Sequence, residues 1–278
     1  MSDAAEQLTI DAAGVALSGE RAGEGTPVVL LHGLTATRRY VVMGSRALER
    51  SAHLVVSYDA RGHGRSDPAP EPSAYGYELL AADLESVLDA LQLERAVLAG
   101  ASMGAHTALA FALAQPQRVA GLVLITPSFD PAHPREQREL DRWDALARGL
   151  RGDGVDGFVR AYDLAAVPDA WRETVERVLR QRLSAHEHPL AVADALQAVP
   201  RSLPFESLDE LAAVAAPTVV VASRDEADPG HPLAVGERYA ATIPGAQLVI
   251  EDDGRSPLAW QGGQLSRVIA ELAARAQI

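Results

Sequence analysis

Residues Gly100 to Gly104 read GASMG and have the form G-x-S-x-G, a pattern suited to presenting a reactive serine hydroxyl. An apolar run at residues 96–99 precedes it, and an alanine-rich stretch of helical spacing at residues 103–114 follows. Glycines two positions either side of Ser102 remove side chains that would collide in a sharp turn. The sequence therefore predicts a strand, a tight turn at Ser102 and a helix whose free N–H groups stabilise negative charge.

The elements that must position this turn follow from the hydropathy pattern. Short apolar runs alternate with longer stretches of helical spacing, which is typical of a mostly parallel sheet flanked by helices. The pattern predicts strands at residues 7–10, 15–18, 28–31, 53–58, 96–99, 121–125, 218–222 and 247–250. It predicts helices at residues 39–50, 77–91, 103–114, 233–243 and 264–275. Between residues 127 and 211 the pattern is helical and arginine-rich, without a convincing strand, which indicates a helical insertion.

Two further motifs, together with the serine turn, resemble the α/β-hydrolase superfamily. His32-Gly33-Leu34 follows a buried strand, and Asp59 to Ser66 read DARGHGRS, of the form D-x-R-G-x-G-x-S, after the next strand. The resemblance spans residues 28–125 and the chain from residue 217 onward. It implies an α/β-hydrolase fold with a core at residues 1–127 and 212–278. The insertion, residues 128–211, lies where that superfamily carries a helical cap over its site.

The resemblance also implies an oxyanion hole, a pair of N–H donors for the negative oxygen that forms when a carbonyl is attacked. The backbone N–H groups of Leu34 and Met103 would supply it. By the same resemblance His32 is structural, and His63 is expected to brace a loop.

A serine nucleophile requires a base and a carboxylate that orients the base. In the superfamily the acid follows the strand found here at residues 218–222, and the candidates are Asp225, Glu226 and Asp228. The usual aspartate is followed by a loop ending in proline, which fits Asp228 best, since His231 and a proline close that loop. Counting from the start of the strand favours Asp225 or Glu226 instead, so the choice stays open.

The histidine that the superfamily carries after its last strand is missing. Residues 251–257 read EDDGRSP, and alignment on the glycine and proline places Arg255 at the histidine position. Arginine stays protonated and cannot accept the proton of a serine. No histidine follows His231 in the chain.

Four hypotheses account for this substitution. His231 could act as the base from the acid loop, or another acceptor could serve, such as an acidic residue of that loop, His186 or His188. The protein could have lost hydrolysis and kept a pocket for a small ligand or a protein partner. It could also catalyse a lyase- or isomerase-like reaction in which Arg255 binds an anionic substrate. Arg255 could equally form an ion pair with the acidic loop.

Composition limits the class of partner. The 278 residues include 25 basic and 38 acidic side chains, a net charge of −13, which disfavours binding to nucleic acid. The absence of cysteine excludes disulfides, zinc–thiolate sites and a cysteine nucleophile. The first ten residues lack a secretory pattern and no apolar run reaches about 18 residues, so we expect a cytoplasmic protein. No nucleotide-binding or metal-binding pattern is present, and we expect neither a cofactor nor a metal.

The leading hypothesis is a cofactor-free enzyme that acts on a small ester, lactone or related carbonyl compound. Ser102 would be the nucleophile, Asp228 the acid and His231 the candidate base. The opposing hypothesis is a disabled or non-hydrolytic protein of the same fold that binds a small, anionic ligand.

Overall fold

The predicted strands assemble into one sheet of eight. A computed structural model describes residues 5–131, 137–224, 227–252 and 260–276. The strands are β1 (Glu6–Ala12), β2 (Val15–Ala22), β3 (Thr26–Leu31), β4 (His53–Tyr58), β5 (Ala96–Ala101), β6 (Val119–Ile125), β7 (Thr218–Ala222) and β8 (Gln247–Ile250). Their order is β1-β2-β4-β3-β5-β6-β7-β8. The β1–β2 and β2–β4 pairs are antiparallel and all other pairs are parallel. The mostly parallel α/β architecture is thereby confirmed.

Helices cover both faces of this sheet. They are α1 (Tyr77–Ala90), α2 (Met103–Ala114), α6 (Leu233–Thr242) and α7 (Gly262–Ala273). The central strands are apolar because both their faces are buried, and every residue of β6 and β7 is buried. On one face Leu109 of α2 and Tyr239 of α6 join the core, and on the other Ile269 of α7 does so. In the described ranges, no helix is both long and apolar enough to cross a membrane.

In the part of the insertion that the structure describes, three α-helices lie between β6 and β7. They are α3 (Gln137–Ala161), which is interrupted at Asp153 and Gly154, α4 (Asp169–Leu183) and α5 (Pro189–Ala198). Their buried side chains form one apolar cluster with Leu34, Ala60 and Met103, which follow β3, β4 and β5. The inserted helices therefore pack over the carboxyl ends of the central strands, where open α/β sheets bind ligands. The predicted boundaries of a separate cap, residues 128–211, stay a prediction.

The helix predicted at residues 39–50 is wrong. This segment has only two short 3₁₀ turns, Arg38–Tyr40 and Glu49–Ser51. Met43 and Gly44 adopt φ values of 49° and 72°, a left-handed conformation that reverses the chain and prevents a continuous helix. The segment packs so closely on α7 that a Cβ added to Gly262 would lie 2.0 Å from the Val42 carbonyl oxygen.

Candidate active site

Ser102 lies in a strained turn between the end of β5 and the start of α2. Its φ and ψ are 51° and −113°, a conformation that non-glycine residues rarely adopt. A Cβ added to Gly100 would lie 2.2 Å from the Gly104 carbonyl oxygen, and one added to Gly104 would lie 2.1 Å from that of Leu31. Both positions therefore require glycine, as the sequence pattern predicts. The Ser102 N–H donates to the Ile125 carbonyl at 2.9 Å, which ties the turn to β6.

His231 and Asp228 lie beside this serine. Both come from the loop between β7 and α6. The His231 Nε2 atom lies 2.8 Å from Ser102 Oγ, and its Nδ1 atom lies 2.8 Å from Asp228 Oδ2. A carboxylate can only accept, so Nδ1 carries the proton and Nε2 is free to accept one from the serine hydroxyl. Serine, histidine and carboxylate thus lie in one hydrogen-bonded series, an arrangement that could activate a serine.

The charges of the pair shift both pKa values. Desolvation of the His231 ring opposes its protonation, but the charge and the hydrogen bond of Asp228 together raise the pKa of His231 above its ordinary 6.5. Desolvation likewise opposes ionisation of Asp228, and the charge and hydrogen bond of His231 outweigh it and lower the pKa of Asp228. Asp228 is therefore ionised at neutral pH, where it orients His231 and stabilises its protonated form.

The loop after β3 lies against this serine. A Cβ added to Gly33 would lie 3.6 Å from Ser102 Cβ. The Gly33 carbonyl accepts from His32 Nδ1 at 2.8 Å and from the Ala36 N–H at 2.9 Å. In a trans peptide the C=O and N–H point in opposite directions, so the Leu34 N–H points away from His32. Among the described residues, no acceptor is bound by the N–H of Leu34 or of Met103.

His32 and His63 are buried beneath this loop. His32 Nε2 accepts from the Ala60 N–H at 2.9 Å, which leaves its Nδ1 proton for Gly33, and burial lowers the pKa of His32 to about 3. His63 Nε2 lies 2.6 Å from the Leu34 carbonyl oxygen. Burial also lowers the pKa of His63. Both rings bind backbone groups of loops, as the structural roles implied by the resemblance require.

The histidines of the insertion do not contact Ser102. His186 Nδ1 accepts from the Gly64 N–H at 2.8 Å and its Nε2 faces the Thr35 carbonyl at 3.3 Å, so neither ring nitrogen is free to act as a base. In the described part of the chain no hydrogen bond joins His188 to Ser102. The other candidates, Asp225, Glu226 and Arg255, lie outside the described residues. Within the same limits, no three histidine or acidic side chains come together to hold a metal.

Arg182 is a residue near the site that sequence reasoning missed. This α4 side chain donates from Nη2 to Thr35 Oγ1 at 2.9 Å, and its Nε is buried without a hydrogen-bond partner. Its guanidinium lies 5.9 Å from the centre of the Tyr40 ring. Its charge acts on the pKa values of both Asp228 and His231. In the described ranges no carboxylate lies within 4 Å of it.

A sequence signal for Arg182 existed. The neighbouring arginines of α4 pair with acids one turn earlier, as Arg177 does with Glu173 and Arg180 with Glu176. Position 178, one turn before Arg182, is a valine. Arg182 therefore lacks an acid one turn earlier in the helix, whereas Arg177 and Arg180 form ion pairs with such acids on the helix surface.

Glu251 fixes the start of the loop that carries Asp228 and His231. It follows β8, and its Oε1 accepts from Ser223 Oγ at 2.9 Å and from the Arg224 N–H. The Arg224 side chain donates back to the Glu251 carbonyl at 2.6 Å. The end of β8 therefore supports the acid loop through these contacts.

Known proteins resemble this chain over most of its length. A family model described as alpha/beta hydrolase fold matches residues 26–261. A 2-hydroxy-6-oxononadienedioate/2-hydroxy-6-oxononatrienedioate hydrolase of Pseudomonas putida is 36% identical over 234 residues, which are 81% of this chain and 80% of that protein.

Solved structures of hydrolytic enzymes superpose on the chain. An esterase from Thermogutta terrifontis with malate bound has a TM-score of 0.79 at 28% identity and covers 97% of this chain and 98% of its own. Est816, described as an N-acyl homoserine lactone degrading enzyme, has a TM-score of 0.72 at 27% identity and covers 96% and 98%. The matched family model spans most of the chain, the Pseudomonas hydrolase is similar to it in sequence, and the two solved structures are similar to it in fold. The chain belongs to the alpha/beta hydrolase fold family.

Proposed function

We propose that this protein is a cofactor-free serine hydrolase that cleaves a small ester, lactone or related carbonyl compound. The observation that carries the proposal is the pair of 2.8 Å contacts from His231, one to Ser102 Oγ and one to Asp228 Oδ2. Arg255 as a substrate-binding residue and a cytoplasmic location stay predictions.

In the first half of the reaction, Ser102 Oγ attacks the carbonyl carbon while its proton passes to Nε2 of His231. The carbonyl oxygen becomes negative and is stabilised by the N–H groups of Leu34 and Met103, which bind no acceptor among the described residues. Asp228 stabilises the positive ring of His231. His231 then gives its proton to the leaving oxygen, and an acyl-serine results.

In the second half, His231 accepts a proton from a water molecule, which attacks the acyl carbon. The same two N–H groups stabilise the second negative oxygen. Collapse of this intermediate breaks the bond to Ser102 Oγ, and His231 returns the proton to the serine. The free acid leaves and the resting state is restored.

The contacts of His231 favour this function over a disabled or non-hydrolytic protein. Those alternatives depended on the arginine at position 255, which left the serine without a base. With His231 as the base, the reaction needs no group at that position. Names of relatives support the same chemistry, since they are a hydrolase, an esterase and a lactone-degrading enzyme.

The surroundings of Arg182 favour a substrate that carries a carboxylate. A charged guanidinium with a buried, unpaired Nε is costly unless an anion binds to it. Its 2.9 Å hydrogen bond to Thr35, which directly follows the proposed oxyanion donor Leu34, would place such an anion near the reacting carbonyl. The hydrolase of Pseudomonas putida is named for dioates, which are dicarboxylates, and the Thermogutta esterase was solved with malate, another dicarboxylate.

The carboxylate preference is tested with two esters of similar size. We expect Arg182→Gln to raise KM for mono(4-nitrophenyl) glutarate about 10-fold or more, because a charge-assisted contact is lost, and to change KM for 4-nitrophenyl butyrate less than twofold. Arg177→Gln, on the exposed side of the same helix, is the control. Equal effects on both esters would refute the preference.

The hydrolase itself is tested with a serine-reactive fluorophosphonate and 4-nitrophenyl acetate. Wild-type protein is expected to be labelled and to turn over, and Ser102→Ala is expected to do neither. Ser86→Ala removes a serine on α1 whose hydroxyl donates to the Ala82 carbonyl of the preceding turn, and it should behave as wild type. Wild-type protein without labelling or turnover would refute the proposal.

A further inference from the structure

We propose that His186, in the inserted helical segment, is a positioning residue that holds the oxyanion loop, residues 33–35, in its competent geometry. The loop would then be correctly placed only while the inserted helices are docked on the core. This inference rests on the proposed hydrolase function.

Three consecutive carbonyl groups of the oxyanion loop each face a different histidine ring. The Gly33 carbonyl lies 2.8 Å from His32 Nδ1, and the Leu34 carbonyl lies 2.6 Å from His63 Nε2. The third, that of Thr35, lies 3.3 Å from His186 Nε2. His32 and His186 each carry their proton on the nitrogen that faces the loop, so they restrain the peptide planes of the Gly33 and Thr35 carbonyls, the first of which carries the Leu34 N–H. His63 also faces the Arg61 carbonyl through Nδ1 at 2.9 Å, and its neutral ring donates to one of the two carbonyls, that of Arg61 or that of Leu34.

The three rings, which we call the histidine cluster (His32, His63 and His186), also contact one another. The ring centroids of His32 and His63 are 5.2 Å apart, and those of His63 and His186 are 5.6 Å apart. All three are buried, with exposed fractions of 2%, 1% and 9%. The first two rings belong to the core, whereas His186 belongs to the segment between α4 and α5. The cluster is therefore complete only when that segment is in place.

The protonation of His186 follows from its partners. Its Nδ1 accepts from the Gly64 N–H at 2.8 Å, so its single proton is on Nε2 and is donated to the Thr35 carbonyl. The Glu187 N–H donates to the Gly64 carbonyl at 2.8 Å, which fixes the backbone on which His186 stands. One neutral ring thus links two core loops to the insertion.

Arg182 contributes a second contact from the insertion to the same loop residue. Its Nη2 donates to Thr35 Oγ1 at 2.9 Å. Thr35 is therefore held by α4 at its hydroxyl and by His186 at its carbonyl. Since Thr35 directly follows Leu34, a displacement of the inserted helices would move the peptide that supplies the proposed oxyanion donor.

Two conservative variants separate positioning from simple docking of the insertion. The amide nitrogen of glutamine reaches the position of a histidine Nε2, so His186→Gln keeps a donor for the Thr35 carbonyl. The amide oxygen of asparagine reaches the position of Nδ1, so His186→Asn keeps an acceptor for the Gly64 N–H and loses the contact with Thr35. A docking role predicts that asparagine is the better replacement, and a positioning role predicts glutamine.

The experiment measures hydrolysis of 4-nitrophenyl acetate, the rate of fluorophosphonate labelling, and hydrogen exchange of the peptide containing residues 33–38. For His186→Asn we expect kcat and the labelling rate to fall together by about 10-fold, less than the 10²- to 10³-fold cost of losing an oxyanion donor. We expect KM to change less than twofold and exchange in the loop to accelerate. His186→Gln should retain most of the kcat and the slow exchange of wild type.

Three results would overturn the inference: unchanged kcat and exchange in His186→Asn, an effect confined to KM, or a larger loss in His186→Gln than in His186→Asn. Failure of the proposed function is distinguishable. A wild-type protein that neither labels nor turns over refutes the hydrolase, while the exchange of residues 33–38 still decides whether His186 holds the loop.

Discussion

Asp228 and His231 lie three residues apart on one loop, with Asp228 Oδ2 2.8 Å from His231 Nδ1. The proposed acid and base of the site therefore both come from the segment between β7 and α6. A backbone hydrogen bond of 3.2 Å from the His231 N–H to the Asp228 carbonyl closes the turn between them. One loop therefore carries both residues to Ser102. Glu251, which follows β8, supports this loop through its contacts with Ser223 and Arg224.

The Asp228–His231 contact predicts a shifted pH profile. Because Asp228 raises the pKa of His231 above 6.5 and the base must be neutral, kcat/KM should rise with pH with a midpoint above 6.5. In Asp228→Asn the partner that raises the pKa is lost, so the midpoint should move to lower pH. Loss of the orienting carboxylate should also lower kcat by about 10³- to 10⁴-fold. A pH series of ester hydrolysis measures both effects, and an unchanged midpoint in the variant would contradict them.

Glu251→Ala should loosen the loop that carries both residues. The variant removes the acceptor of the Ser223 hydroxyl and of the Arg224 N–H. A hydrogen bond to a charged group contributes about 1.5–3 kcal/mol to the free energy of unfolding. We expect a decrease of that size in the free energy of unfolding, measured in urea, and a lower kcat. Asp252→Ala changes the next, exposed acid and should leave both quantities near wild type. Equal effects of the two variants would count against the support role of Glu251.

The buried ion pair of Arg61 and Asp83 should stabilise the fold without a direct part in the chemistry. Arg61 Nε and Nη2 contact the two carboxylate oxygens of Asp83 at 2.7 and 2.6 Å, and both side chains are at most 5% exposed. Asp83→Ala leaves a buried charge unpaired and should cost about 3–5 kcal/mol of unfolding free energy. Asp89→Ala removes the exposed partner of Arg118 and should cost about 0–1 kcal/mol. Chemical denaturation measures the free energy of unfolding of both variants, and similar losses of that free energy would contradict this prediction.

Acid should destabilise the protein through the histidine cluster. Burial lowers the pKa of both His32 and His186 from 6.5 to about 3, so between these values the unfolded chain binds protons that the folded chain does not. The free energy of unfolding should therefore fall as pH falls below 6.5, by roughly 1.4 kcal/mol per pH unit for each histidine. In His186→Gln one such group is absent, and the dependence between pH 6 and 4.5 should be shallower by about that amount. Identical slopes in urea titrations would contradict the assignment.

The sequence predicted the architecture because the fold depends on local patterns. The strands at residues 53–58, 218–222 and 247–250 and the helix at residues 103–114 have the bounds that apolar runs and helical spacing indicate. The prediction of a helix at residues 39–50 was wrong because Met43 and Gly44 form a left-handed turn that interrupts the helical spacing of the apolar residues. The spacing of apolar residues does not predict a left-handed turn.

The site was only partly predictable. The glycines around Ser102 are explained by local sterics, and these could be read from the motif. The contact of His231 with Ser102 joins residues 129 positions apart, so only the fold brings them together. The same applies to His186, whose ring contacts Gly64 and Thr35, 122 and 151 positions away. Polar contacts between residues so far apart in the chain produce no periodic pattern in the sequence, so they could not be predicted from it.

The most direct measurement of the central claim is the second-order rate at which a fluorophosphonate modifies Ser102 in wild type and in His231→Ala, with the modified peptide identified by mass spectrometry. Removal of the base should slow this reaction by about 10³-fold or more, whereas the His188→Ala control should stay within twofold of wild type. Modification of Ser102 in His231→Ala at the wild-type rate would contradict the account, because the serine would then be activated by another group.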